Sequence, residues 1–181
     1  MIAIKKILVP TDFSDASAPA IAYALSLAKQ HGAEIGVLHV LPSKAMKQDL
    51  ARGYVTEGLM EPSPLMGASP APAMDSILER RKRILHDFVQ QKVGTDFLKG
   101  IKITALVRFG KPVQEIIAVA KEEQSDLIVM NRESGLSFRG HLTDRLAKQA
   151  PCPVLSLQLS AEIRTEENER VPVSLLEKWA A

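Results

Sequence analysis

The chain has 181 residues, long enough to bury a full two-sided sheet in one domain without covalent staples. Its 23 basic and 21 acidic residues leave a net charge of only +2, and although the pI is near 8.7, that balance lacks the concentrated positive charge of a nucleic-acid binder. One cysteine, Cys152, excludes an internal disulfide, no apolar run reaches the length of a membrane span, and no secretory leader is legible at Met1 to Ala3, so a cytoplasmic protein is expected.

In chain order, Ile4 to Pro10 is β-branched and apolar and stops at Thr11-Asp12-Phe13-Ser14-Asp15, a turn of helix-capping residues. From Ala16 to Gln30 the residues Ile21, Ala24, Leu25 and Ala28 keep helical spacing, Pro19 falls in the first turn, and Gly32 supplies a C-terminal stop. Glu34 to Leu41 is a nearly continuous apolar run of strand length, which predicts a strand covered on both faces and therefore a parallel sheet. The stretch from Pro42 to Ala73 holds Pro42, Pro62, Pro64, Pro70 and Pro72 without a sustained period and reads as an irregular insert, with room for a short helix from Lys44 to Arg52.

Met74, Ile77, Leu78, Ile84, Leu85, Phe88 and Val89 then recur at helical spacing, with Arg80-Arg81-Lys82-Arg83 mostly on the opposite, wet face. Lys102 to Phe109 predicts a third strand, and Gly110-Lys111-Pro112 opens a third helix bearing Val113, Ile116, Ile117 and Ala120 on one side. Asp126 to Met130 is a fourth, buried strand; Asn131 to Arg139 is polar; Leu142, Leu146 and Ala147 mark a fourth helix; Pro151-Cys152-Pro153 ends it; and Val154 to Leu159 is a fifth strand. Residues 1–159 are thus expected to form one domain, and residues 160–181 a charged tail ending in Leu175, Leu176 and Trp179 at the spacing of a short amphipathic helix. Strands alternating with helices imply right-handed crossovers and an α/β, doubly wound parallel sheet with helices on both faces.

Several segments in this order resemble the universal stress protein family: Ile7-Leu8-Val9-Pro10-Thr11-Asp12-Phe13-Ser14, Val37-Leu38-His39-Val40, Gly110-Lys111-Pro112, Asp126-Leu127-Ile128-Val129-Met130 and Ala150-Pro151-Cys152-Pro153-Val154-Leu155. The likeness spans nearly all of Ile2 to Leu159 and leaves out the insert and the tail. It implies a five-stranded sheet in the order 3-2-1-4-5, the three-layer α/β/α fold of the adenine-nucleotide alpha-hydrolase kind, with a ligand crevice where the strand order reverses between strands one and four. Many relatives hold ATP there. Carried onto this chain, the candidate nucleotide-contacting residues are Pro10, Thr11, Asp12, Val40, Gly110, Met130, Asn131, Arg132, Gly140, His141, Leu142 and Thr143.

Each of these has a plainer alternative. Asp12 is either a carboxylate for a ribose or base, or a turn cap. Val40 offers backbone groups to an adenine edge or is simply a buried strand residue, and Gly110 admits close backbone approach or only forms the turn before Pro112. Arg132, Arg139 and His141 are phosphate-facing charges or solvated loop residues, and Thr143 is a phosphate-side hydroxyl or a first-turn helix residue. Phosphate recognition in the binding relatives uses a Gly-x-x-Gly pair, a spacer, and a Gly followed by Ser or Thr, because glycines let backbone N–H groups approach the anion. Here Asn131 stands where the first glycine belongs, Gly135 lies alone in the loop, His141 follows Gly140, and the loop is about four residues shorter than that pattern.

The resemblance therefore implies a stress-response module rather than an enzyme, with a crevice reduced for nucleotide. ATP or AMP remains the ligand that the architecture fits, as an alternative switch-protein reading. Hydrolysis would need a general base and a placed metal, and Asp12 alone supplies a carboxylate. His31, His39, His86 and His141 lie on different elements without ligand spacing, so no metal is expected; His39 reads as a satisfied core histidine and Cys152 as a small packing residue. A homodimer through Val154 to Leu159 is expected, since an apolar edge strand needs covering; neither a nucleic acid nor a membrane is an expected partner.

Overall fold

The computed structural model describes residues 3–42, 71–94, 98–131 and 142–158. Strand β1 (Lys6–Thr11) leads through a single 3-10 turn (Asp15–Ser17) into α1 (Ala18–His31), and then β2 (Glu34–Leu41), α2 (Ala71–Val93), β3 (Ile103–Phe109), α3 (Pro112–Glu122), β4 (Leu127–Asn131), α4 (Leu142–Gln149) and β5 (Val154–Leu157) follow. The five strands pair in parallel in the order β3-β2-β1-β4-β5. The expected alternation and strand order are both observed.

Side-chain alternation along each strand divides the interior into two layers. Ile7, Val9, Ile35, Val37 and Val129 point to one face, where Ile21 and Leu25 of α1 and Leu85 and Val89 of α2 cover them. Leu8, Leu38, Val40, Ile128 and Met130 point to the other, beneath Ile116 and Val119 of α3 and Leu142 and Leu146 of α4. Ile7, Leu8, Leu38 and Ile128 are at most 1% exposed, which explains why the central strands read as unbroken apolar runs.

Element boundaries move for local reasons. Gly32 ends α1 in the left-handed conformation (φ 65°), with its N–H bonded to the Ala28 carbonyl. Asp126, expected inside the fourth strand, stands before it: its carboxylate accepts the backbone N–H groups of Lys5 (2.8 Å) and Lys6 (2.9 Å), and its own N–H reaches the Lys6 carbonyl. Those two N–H donors hold the Asp126 carboxyl below its ordinary pKa. Helix α2 begins at Ala71, inside the stretch read as an irregular insert. Pro72 is compatible with that start because a proline in a first turn removes an N–H that has no helical partner. The helix considered for Lys44 to Arg52 and the tail 160–181 lie outside the described residues. Among the described residues no helix is long and apolar enough to cross a membrane.

Candidate functional site: the junction of β1 and β4

The strand order reverses between β1 and β4, and at a reversal the two neighbouring crossovers leave in opposite directions and open a crevice at the carboxyl ends. Thr11 with Asp12 and Met130 with Asn131 stand at those ends. The main chain around them is fixed by a dense set of local bonds. Thr11 is fully buried; its Oγ1 lies 2.8 Å from Ser17 Oγ and accepts the Phe13 N–H at 3.2 Å. Ser17 Oγ donates to the Ser14 carbonyl at 2.7 Å. Asp12 Oδ1 accepts both the Ser14 N–H (3.0 Å) and the Ser14 hydroxyl (2.6 Å), closing an Asx turn. The turn-forming alternative for Asp12 is therefore observed, while Oδ2 makes no hydrogen bond among the described residues.

Asn131, only 2% exposed, sends its Nδ2–H across the junction to the carbonyl of Ala16. This ties the end of β4 to the β1–α1 turn with a side chain where a glycine would leave open space. On the other flank, the last β1 partner of β2 is His39, opposite Thr11, whereas β2 continues its pairing with β3 through Leu41. Val40 and Leu41 thus run beyond the end of β1.

Other candidates are distributed less favourably. The side chains of Val40, Met130 and Leu142 belong to the core, and Pro10 is buried within β1 opposite Leu38. Thr143 is half-buried in the first turn of α4. Gly110 follows β3, which β2 separates from β1, so it is not brought to the junction. Its φ of 153° is a glycine conformation, its N–H bonds the Leu41 carbonyl at 2.9 Å, and a Cβ there would meet Glu115 Oε1 at 2.4 Å. Arg132, Gly135, Arg139, Gly140 and His141 lie outside the described residues.

Sequence reasoning missed the cluster that supports the β1–α1 turn from below. Phe13 adopts φ 65°, a left-handed conformation that is rare for an aromatic residue. Its ring lies over His39 (centroids 4.1 Å apart) and meets Phe88 of α2 edge-on at 5.4 Å. Lys92, also on α2, sits 6.0 Å above the Phe88 ring and pairs with Asp15. His39 Nδ1 lies 2.9 Å from the Thr11 carbonyl, which fixes Nδ1 as the protonated nitrogen of the neutral ring. Burial pushes the His39 pKa below 6.5, reinforced by the charge of Arg81 and opposed by the Thr11 carbonyl and the Asp12 charge. The satisfied core histidine expected from the sequence is thus observed. The available signal was Phe13 and His39 near the ends of two strands in a chain that is only 4% aromatic.

Cys152 is half-buried against the α3 and α4 layer, and burial raises its thiol pKa, in keeping with a packing role. No cluster of His, Cys, Asp and Glu placed to hold a metal occurs among the described residues.

Comparison with known proteins places this architecture. Residues 3–157 match the model of the universal stress protein family. Universal stress protein MJ0531 of Methanocaldococcus jannaschii is 29% identical over 157 residues, covering 83% of this chain and 80% of its own. Universal stress protein YxiE of Bacillus subtilis is 30% identical over 156 residues, covering 83% and 96%. Among solved structures, MJ0577 of Methanocaldococcus jannaschii superposes with a TM-score of 0.61 at 22% identity, over 88% of this chain and 99% of that one. A universal stress protein solved in complex with cAMP superposes with a TM-score of 0.53 at 19% identity, over 88% of this chain and all of that one. The shared fold is the three-layer α/β/α fold of the adenine-nucleotide alpha-hydrolase kind, and by the match over residues 3–157 the chain belongs to the universal stress protein family.

Proposed function

We propose that this chain is a non-enzymatic stress-response module that acts as a homodimer and whose nucleotide crevice is reduced. The observation that carries the reading is the Asn131 amide reaching from β4 to the Ala16 carbonyl. It fills the junction where a phosphate chain would need bare backbone, and it spends a polar group of the crevice on the protein itself. Thr11 and Ser17 likewise bond within the turn, as does Oδ1 of Asp12. The dimer forms through the last strand, read from the sequence as Val154 to Leu159 and observed as β5 (Val154–Leu157). Val154, Leu155, Ser156 and Leu157 are all half-buried on an edge strand of the sheet, and such an edge needs covering. Residues 1–159 act as the domain and 160–181 as an appended tail, in a cytoplasmic protein with its single thiol reduced.

A second reading has its own support. Val40 and Leu41 extend past β1, Asp12 Oδ2 faces no partner among the described residues, and a protein of the same fold has been solved with cAMP. In this reading the crevice keeps a small adenine nucleotide such as AMP while excluding the triphosphate of ATP. Thermal melts with ATP, AMP and cAMP at millimolar concentration separate the two, because a ligand held only by the native state raises the melting temperature. The reduced-crevice reading expects no shift with any of the three. A shift with AMP or cAMP that Asp12→Ala removes establishes the second reading instead.

A further inference from the structure

An ionisable ring lies directly under the β1–α1 turn and is held by it. His39 is only 8% exposed, its Nδ1–H donates to the Thr11 carbonyl at 2.9 Å, and the Phe13 ring lies over it with centroids 4.1 Å apart. The carbonyl that His39 holds belongs to the Thr11–Asp12 peptide, so Asp12 stands between the two residues that His39 touches. Asp12 Oδ1 accepts the N–H and the hydroxyl of Ser14, at 3.0 and 2.6 Å, and Oδ2 makes no hydrogen bond among the described residues. In the neutral ring Nε2 carries a lone pair, and no group among the described residues bonds to it. An unengaged ring nitrogen and an unengaged carboxylate oxygen therefore belong to groups joined through one peptide carbonyl.

The surroundings decide what a proton on Nε2 meets. Burial disfavours the charged ring and Arg81 of α2 repels it, so His39 stays neutral until the solution is acidic; the Thr11 carbonyl and the Asp12 carboxylate act the other way. Lys92 of α2 is engaged with Asp15 and sits over the Phe88 ring. Strand β3 places Val107 opposite His39, and its Arg108 is paired with Glu122 of α3 on the other face. The first turn of α1, Ala18-Pro19-Ala20-Ile21, has no ionisable side chain. Among the described residues Asp12 is thus the anion that acts on the ring. A bond with charge on both partners outweighs one in which only the carboxylate is charged. Reaching the ring takes rotation of the Asp12 side chain, and Oδ1, fixed to the same carbon as Oδ2, then leaves Ser14. We propose that His39 and Asp12 form an acid-operated switch in the β1–α1 turn: a solvent proton on His39 Nε2 draws the Asp12 carboxylate to the ring, and the turn gives up both Ser14 bonds. Asp12 stands beside the β1/β4 junction, so the switch reshapes one wall of the crevice, whether or not a nucleotide binds there.

The test is an NMR titration of the full-length protein from about pH 7.5 to about pH 5, reading the His39 ring, the Asp12 carboxyl carbon and the Ser14 amide. All three are expected to shift with one shared midpoint, below the ordinary histidine value. Asp12→Asn keeps an Oδ1 acceptor for Ser14 but loses the charge, so His39 is expected to titrate at lower pH and the Ser14 response to vanish. His39→Gln is expected to abolish the transition at both Asp12 and Ser14. A Ser14 amide that does not follow the His39 midpoint overturns the proposal, as does a Ser14 transition that persists unchanged in Asp12→Asn or in His39→Gln. A His39 midpoint unmoved by Asp12→Asn overturns the ion pair. The methyl groups of Ile116 and Ile128, in the layer on the other sheet face, report unfolding of the whole domain, and their loss before His39 titrates also overturns the switch. Should His39→Gln not fold, the half-buried Asp12→Asn position decides alone.

Discussion

Phe13 accepts a left-handed backbone so that one aromatic ring can cover His39 and abut Phe88, and the two halves of that trade are separable by substitution. Phe13→Ala removes the ring but keeps a Cβ at positive φ and is expected to cost about 2–4 kcal/mol. Phe13→Gly removes the ring and the strain together, so it should be the more stable of the two by about 1 kcal/mol, read from urea unfolding midpoints. Equal midpoints would mean that the φ of 65° carries no cost. His39 makes a pH prediction. Burial lowers its folded pKa below 6.5, so the unfolded chain takes up a proton first as pH falls. The contribution of neutral His39 is therefore complete above that value and is lost as pH drops through it toward the folded pKa. Comparing unfolding at pH 7.5 and 5.5, wild type should lose stability on acidification, and His39→Gln, which keeps an amide donor for the Thr11 carbonyl, should lose less. An equal loss in both would assign the pH dependence to other groups. At this scale the sequence exposed Asp12 and Asn131 as positions of interest. It did not expose the Ala16 carbonyl as the partner of Asn131, because a backbone acceptor has no signature in residue type.

At the scale of elements, periodicity located the four helices and five strands of the described residues, since each buries one stripe or two faces of apolar side chains. It misjudged ends where a side chain outbids the pattern, as at Asp126, whose bonds to Lys5 and Lys6 stop the strand short. Helix α2 shows what a pattern withholds. Its spacing was plain, yet its N-terminal turn at Ala71 is hidden among prolines, and its contacts with the β1–α1 turn through Phe88 and Lys92 span sequence separations that no local window covers. That docking makes α2 a stabilising layer for the crevice turn. Leu85→Ala, at a site with 0% exposure, is expected to cost about 3 kcal/mol and to lower the unfolding midpoint without changing the denaturant slope. A cost below about 1 kcal/mol would mean that α2 packs far more loosely than described.

For the whole molecule, alternation of strands and helices dictated a parallel doubly wound sheet, but the order β3-β2-β1-β4-β5 came from the family resemblance and not from periodicity. That order creates the crevice, and the residues at its mouth decide what the crevice can hold. The edge position of β5 carries the quaternary prediction: sedimentation equilibrium should return a dimer both for the full chain and for residues 1–159, whereas a monomer at micromolar concentration would contradict the assignment. The central claim is that Asn131 closes the β1/β4 junction to a phosphate chain. Calorimetric titration of ATP into wild type and Asn131→Gly tests it most directly. The account predicts no saturable binding by wild type below about 1 mM and at least about tenfold tighter binding by the variant. Micromolar ATP affinity in wild type, unchanged by Asn131→Gly, would contradict it.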